Sequence, residues 1–117
     1  MYLELNDPNC TNEYQGDVEL PELGKWYSWE EVMTLAAFNV SITGYGFVYV
    51  YYDMVNRKYY VGVCKQAVRA RARGHRNKTG KLSRIDSIIK DIGCNRILIC
   101  IVKVCRVEDL AYFENYF

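Results

Sequence analysis

The chain has 117 residues, half of them hydrophobic and only two of them proline, and its formal net charge is +1. That length suits one domain with a real core, and the composition excludes a globally disordered chain. The longest run of aliphatic or cysteine residues, Ile97–Val102, is closed by Lys103 and is far too short to span a bilayer.

The N-terminus, MYLELNDPN, has no basic region followed by an apolar core, so no secretory signal is read and no membrane partner is expected. Residues 1–24 form an acidic, turn-rich lead-in that ends at Pro21 and Gly24. In SWEEVMTLAAF, residues 28–38, Ser28 and Glu31 make a capping-box pattern. Val32, Leu35, Ala36 and Phe38 supply an apolar stripe behind it, which predicts one short helix. Phe47–Tyr52 and Lys58–Val63 are rich in tyrosine and valine, and the polar Asp53–Arg57 between them predicts a β-hairpin.

Gln66–Arg76 has helical potential, with alanines among arginines. Thr79-Gly80 breaks the chain, and Leu82–Asp91 then places Leu82, Ile85, Ile88 and Ile89 at helical spacing up to Gly93. Arg96–Cys105 reads as a buried strand and Val107–Phe117 as a final helix. The order after residue 46 is therefore β-β-α-α-β-α. It predicts an α+β fold with a small three-stranded antiparallel sheet flanked by helices, behind an N-terminal helical extension. Two segments are expected: an acidic extension over 1–45 and the sheet domain over 46–117.

Five cysteines occur without a C-x-x-C pair, and Cys100 and Cys105 sit within an apolar run. They are expected to be reduced and structural, which places the protein inside the cell, in cytoplasm or nucleus. The near-zero net charge hides an asymmetry. Residues 1–45 hold eight acids and one base, residues 46–117 six acids and fourteen bases. Lys65 to Arg84 contains eight Lys/Arg, the one histidine and no acid. Such a block attracts polyanions, nucleic acid above all, although a solvated helix face has the same composition.

On the first strand of the hairpin, alternation puts Phe47, Tyr49 and Tyr51 on one face. Tyr60 follows Tyr49 by eleven positions and opens Tyr60-Val61-Gly62. Arg71 follows Tyr60 by eleven, and His75 stands one helical turn further on, on the same side of the helix. Glu114 lies in the last helix. Tyr51, Tyr52 and Tyr59 fall outside the eleven-residue register and are assigned to packing.

In these features the chain resembles the GIY-YIG nuclease family, from Gly46 to its last residue. Val48-Tyr49 stands for the first signature and Tyr60-Val61-Gly62 for the second, followed by Lys65, Arg71, His75 and Glu114. The first motif has one residue more than G-I-Y. The chain ends three residues after Glu114, where family members usually continue, so the module reads as short there.

The resemblance implies a divalent-metal-dependent endonuclease that hydrolyses DNA, duplex or branched. Tyr49, Tyr60, Arg71, His75 and Glu114 would be catalytic, and Glu114 would hold one Mg²⁺ or Mn²⁺. Tyr49 would be the general base, its phenolate favoured by Lys65, Arg71 and His75. Arg71 would donate to the phosphate, while Tyr60 and His75 would orient water or phosphate. Gly62 would allow a close approach of backbone or substrate. Lys65, Arg69, Arg73, Arg76 and Lys78 would bind the DNA backbone.

The alternative is a non-catalytic nucleic-acid-binding module that uses segment 65–84 for phosphates and tyrosines for stacking. A third reading is an interaction domain whose acidic lead-in binds a basic partner. Homodimerisation is left open by the sequence.

Overall fold

A computed structural model describes residues 11–112. Its elements are β1 (Thr11–Asn12), β2 (Trp26–Ser28), α1 (Trp29–Thr34), β3 (Tyr45–Asp53), β4 (Lys58–Cys64), α2 (Val68–Asn77), α3 (Arg84–Ile92) and β5 (Ile97–Arg106). The chain has an α+β fold with one five-stranded mixed sheet.

The hairpin forms as expected, with β3 and β4 antiparallel and Tyr49 opposite Gly62. Asp53 closes its turn. One carboxylate oxygen accepts from the amides of Val55 and Asn56, both at 2.9 Å, and the other accepts from the Asn56 side chain at 2.7 Å. Arg57 ends the turn in the left-handed region, at φ 57°, a common closing conformation for hairpin loops longer than two residues.

The sheet is larger than the predicted three antiparallel strands. β5 pairs with β3 along one edge, and its other edge carries β1 in parallel and β2 in antiparallel register. Strands of two and three residues have no alternation to read, so pattern alone could not announce them. Their role is physical: they cover the backbone of a long apolar strand that would otherwise be an open edge. They lie on the opposite side of the sheet from β4.

The expected helical extension is thus a segment that enters the sheet, with a six-residue helix after β2. The predicted capping box is present, since Ser28 Oγ accepts from the Glu31 amide and the Glu31 carboxylate accepts from the Ser28 amide. Leu35 is extended and ends the helix, and a 3-10 turn over Ala36–Phe38 follows. That break lets Phe38 pack edge-on against Tyr27, with ring centroids 4.8 Å apart. Of the predicted final helix, the described part is a 3-10 turn, Val107–Asp109, that continues as helix through residue 112.

Both faces of the central strands β3 and β5 are buried. Phe47, Tyr49 and Tyr51 join Ile97, Ile99 and Ile101 beneath the helices, against Val32, Val68, Ala72 and Ile89. Val48, Val50, Cys100 and Val102 face the other way, against Leu110. This double burial explains why β5 reads as a continuous apolar run. The β3–β5 register shifts between Val48, opposite Lys103, and Tyr49, opposite Ile101, leaving Val102 as the extra residue. The irregularity sits beside Tyr49, a position where bulges commonly re-aim a side chain. Cys64 and Cys105 are buried thiols and Cys94 is a partly exposed one. Among the described residues no helix is long and apolar enough to cross a membrane.

Candidate active site

Three elements bring the site together. β3 presents Tyr49 and Tyr51 toward the helices, β4 presents Tyr60 and Gly62, and α2 lies across them. Residues Arg71 and His75, four apart on α2, project from one side of it. The result is a cleft of about 280 Å³ lined by Tyr49, Tyr51, Tyr60, Gly62, Arg71 and His75, among others.

Tyr49 is at its centre. Its hydroxyl oxygen stands 3.4 Å from Arg71 Nε and 3.4 Å from His75 Nε2. A guanidinium N–H only donates, so the phenol oxygen accepts from Arg71, while the direction of its contact with His75 Nε2 follows the imidazole tautomer. On the far side of the imidazole, Nδ1 is 2.7 Å from Asp86 Oδ1. Asp86 Oδ2 accepts from Ser83 Oγ at 2.6 Å and from the Ser83 amide at 3.0 Å.

The charge state of Tyr49 differs from the sequence expectation. Burial pushes its phenol above the ordinary value, and the hydrogen bond and charge of Arg71 only partly oppose this. Arg71 alone therefore does not offset burial at this phenol. Asp86 behaves oppositely: burial raises its carboxyl, but hydrogen bonds from the Ser83 side chain and from His75 outweigh burial and lower it.

Gly62 permits a close approach, and the approaching group is Tyr49. A Cβ at position 62 would stand 2.5 Å from both Cζ and Oη of Tyr49. Gly46 serves a related purpose, since a Cβ there would lie 2.5 Å from Leu110 and 2.7 Å from the Cys64 carbonyl. It seats the final helical segment against the end of the hairpin. Tyr60 lines the cleft, and the Arg84 guanidinium carbon lies 5.8 Å from the centre of its ring.

The expected substrate-binding cations do not share one surface. Lys65 and Arg71 line a second cleft of about 450 Å³ at the foot of the final helical segment. Lys78 joins Arg71, His75 and Lys81 along a third cleft of about 680 Å³ between α2 and α3. Arg73 and Arg76 are exposed on α2. Arg69 is turned away from the clefts: its guanidinium donates to the carbonyls of Val32 at 2.9 Å and Leu35 at 2.5 Å, at the end of α1. Two residues along a helix rotate a side chain by about 200°, so Arg69 and Arg71 face different partners.

Two residues of the site are absent from the sequence reading. Tyr51, assigned to packing, is 1% exposed; its ring meets that of Tyr49 at 4.9 Å and the imidazole edge-on at 5.6 Å. Its hydroxyl is buried without a hydrogen-bond partner among the described residues. Strand alternation, which pairs 49 with 51, carries this placement; the eleven-residue register does not. Asp86 is the other. Its sequence signal is Ser83-Arg-Ile-Asp86, a helix-start pattern that carries no hint of the imidazole.

Glu114 lies outside the described residues. Among the described residues no group of three His, Cys, Asp or Glu side chains could hold a metal ion. Asp86 is the one carboxylate lining the three clefts among the described residues, and both its oxygens are engaged. Comparison with protein-family models, curated proteins and solved structures found no match to this chain.

Proposed function

We propose that the chain is a divalent-metal-dependent endonuclease module of the GIY-YIG type, hydrolysing phosphodiester bonds in DNA. The observation that carries this reading is the convergence of Arg71, Tyr49 and His75, placed by hairpin and helix as the motif spacing implies, in a cleft beside exposed cations.

Hydrolysis requires a deprotonated water, a stabilised pentacoordinate phosphate and a leaving oxygen that can accept a proton. Tyr49 takes the proton of the attacking water as its own passes to His75 Nε2. The water oxygen forms the new P–O bond and the leaving oxygen departs, taking a proton from solvent. His75 returns its proton to solvent, which closes the cycle. Arg71 is exposed and lines the cleft. Its remaining N–H groups can donate to the non-bridging oxygens, where charge accumulates. Lys78 and Lys81 continue the positive surface away from the reacting phosphate, suiting a strand that enters between α2 and α3.

Among the described residues no group of three His, Cys, Asp or Glu side chains is placed to hold a metal ion. Glu114 is the proposed ligand of one Mg²⁺ or Mn²⁺, which when bound would neutralise phosphate charge and stabilise the leaving oxygen. Supercoiled plasmid incubated with the full chain in Mg²⁺ or EDTA tests the reading. Nicking or linearisation in Mg²⁺ alone is expected, falling about 10²-fold or more in Tyr49→Phe and disappearing in Glu114→Ala. DNA binding by the wild type without cleavage under Mg²⁺ or Mn²⁺ would leave the non-catalytic binding module as the correct reading.

A further inference from the structure

Among the described residues, the acid bonded to the site is not in the motif. Asp86 is 4% exposed, yet it stands at the start of α3, where a capping carboxylate is ordinarily solvated. Its two oxygens do different work. Oδ2 accepts from the amide and hydroxyl of Ser83, closing a capping box with the Asp86 amide bonded to Ser83 Oγ at 3.3 Å. Oδ1 is left free of the cap and lies 2.7 Å from His75 Nδ1. A carboxylate only accepts, so Nδ1 must carry a proton.

In a neutral imidazole with Nδ1 protonated, Nε2 has a lone pair and no proton. Nε2 is the atom that faces Tyr49. Direction is therefore set along the whole chain: Arg71 donates to Tyr49, Tyr49 to His75, His75 to Asp86, and Ser83 to Asp86. Were Nε2 protonated instead, two N–H donors would converge on one phenol oxygen and the phenol proton would have to turn away from the imidazole.

We propose that Asp86 is a positioning residue for this site: anchored by Ser83, it fixes the imidazole so that Nε2 offers its lone pair to the Tyr49 hydroxyl. The proposal rests on the nuclease reading for its kinetic consequence, while its structural part stands without that reading. It also ties two elements together. The cap that starts α3 and the base that serves β3 share one carboxylate, so the helix start and the imidazole are held in common.

The chain has one histidine, so ¹⁵N NMR of the labelled full-length protein reports its tautomer without assignment ambiguity. Wild type at a pH where the ring is neutral is expected to show a protonated Nδ1 and a bare Nε2. Asp86→Ala should lose that tautomer and lower the cleavage turnover about 10²-fold, with the substrate KM little changed. Ser83→Ala removes the hydroxyl from the cap but keeps the Ser83 amide contact to Oδ2 and the Oδ1 bond, so it should retain the tautomer and lower turnover much less than Asp86→Ala. It separates positioning from helix stability. A wild-type Nε2–H tautomer, or an unchanged tautomer in folded Asp86→Ala, would overturn the proposal. A wild type that shows the Nδ1–H tautomer yet cleaves nothing would sustain the geometry and remove the nuclease reading instead.

Discussion

Gly62 and Tyr49 are cross-strand partners in contact: the space a side chain at 62 would fill is occupied by the end of the tyrosine ring, at 2.5 Å from a Cβ. The glycine is thus part of the tyrosine's placement. Tyr49 is 3% exposed and wedged beside Tyr51, so its ring has little room to retreat. In Gly62→Ala the ring must shift from Arg71 and His75. The expected cost is about 1–3 kcal/mol of stability and, because misplacement by about 1 Å is felt strongly in catalysis, about 10²-fold in cleavage rate. Urea denaturation and plasmid cleavage measure the two. Wild-type cleavage by folded Gly62→Ala would show that the Tyr49 position is not critical.

Tyr51 invites a subtler substitution. Its hydroxyl is buried with no partner among the described residues, and burial pushes its phenol well above the ordinary range. A buried hydroxyl without a hydrogen bond costs stability that removing it recovers. Tyr51→Phe is therefore expected to be neutral or more stable by about 1 kcal/mol, with cleavage unchanged. A stable Tyr51→Phe protein that loses cleavage would make the hydroxyl a participant, reaching a group that arrives with substrate.

The contrast between Tyr49 and Tyr51 shows what the residues disclose. The hairpin and the Arg71–His75 pair were legible because their information is local: alternation along a strand, and a separation of four along a helix. Tyr51 was legible too, but by alternation; sorting tyrosines by motif register discarded it. Asp86 was not, because a cap pattern and a histidine partner leave the same letter in the chain, and only the packing of α3 on α2 distinguishes them. β1 and β2 are too short for any period. Their existence follows from the edge of β5, which is a property of the assembled sheet.

Arg69 and Arg73 separate structural from electrostatic cations on one helix. Arg69 holds two carbonyls at the end of α1, bonds with a charged donor worth about 1.5–3 kcal/mol each when well formed. Arg73 is exposed. Arg69→Ala is expected to lose about 1–2 kcal/mol of stability and leave the salt dependence of DNA binding unaltered. Arg73→Ala should keep stability within about 0.5 kcal/mol and reduce the slope of log affinity against log salt by about one. Denaturation midpoints and fluorescence anisotropy across a salt series test both; exchange of the two phenotypes would contradict the assignment.

Asp53 gives the hairpin an acid-sensitive turn. It is fully buried and accepts three hydrogen bonds from Val55 and Asn56. Burial raises its carboxyl, but the Asn56 and Val55 hydrogen bonds prevail and lower it from 3.8. A lowered folded value means that the unfolded chain binds its proton first. The stabilisation is complete above about pH 4 and is lost as pH falls through the folded value. Asp53→Ala should cost about 2–3 kcal/mol by stranding the turn amides. Asp53→Asn should flatten the decline in stability below pH 4, read from urea midpoints between pH 2 and 7. Equal acid slopes in wild type and Asp53→Asn would show that the carboxylate does not set it.

At high pH the sign reverses, and the cysteines carry it. Burial pushes the Cys64 thiol up to about 12 and that of Cys105 up to about 11, each from 9.0. The folded chain keeps both thiols protonated in a range where the unfolded chain ionises them. Stability is therefore whole below about pH 9 and declines as pH rises toward the folded values. Tyr49, also raised, adds to the decline at the top of that range. Cys64→Ala should soften the loss of stability between pH 9 and 10.5, measured by urea midpoints. In the native protein at pH 8, Cys64 should resist alkylation that denatured protein undergoes readily, since it is both 6% exposed and held as thiol. Peptide mapping by mass spectrometry assigns the modified positions, and rapid native labelling of Cys64 would contradict both its burial and its protonated state.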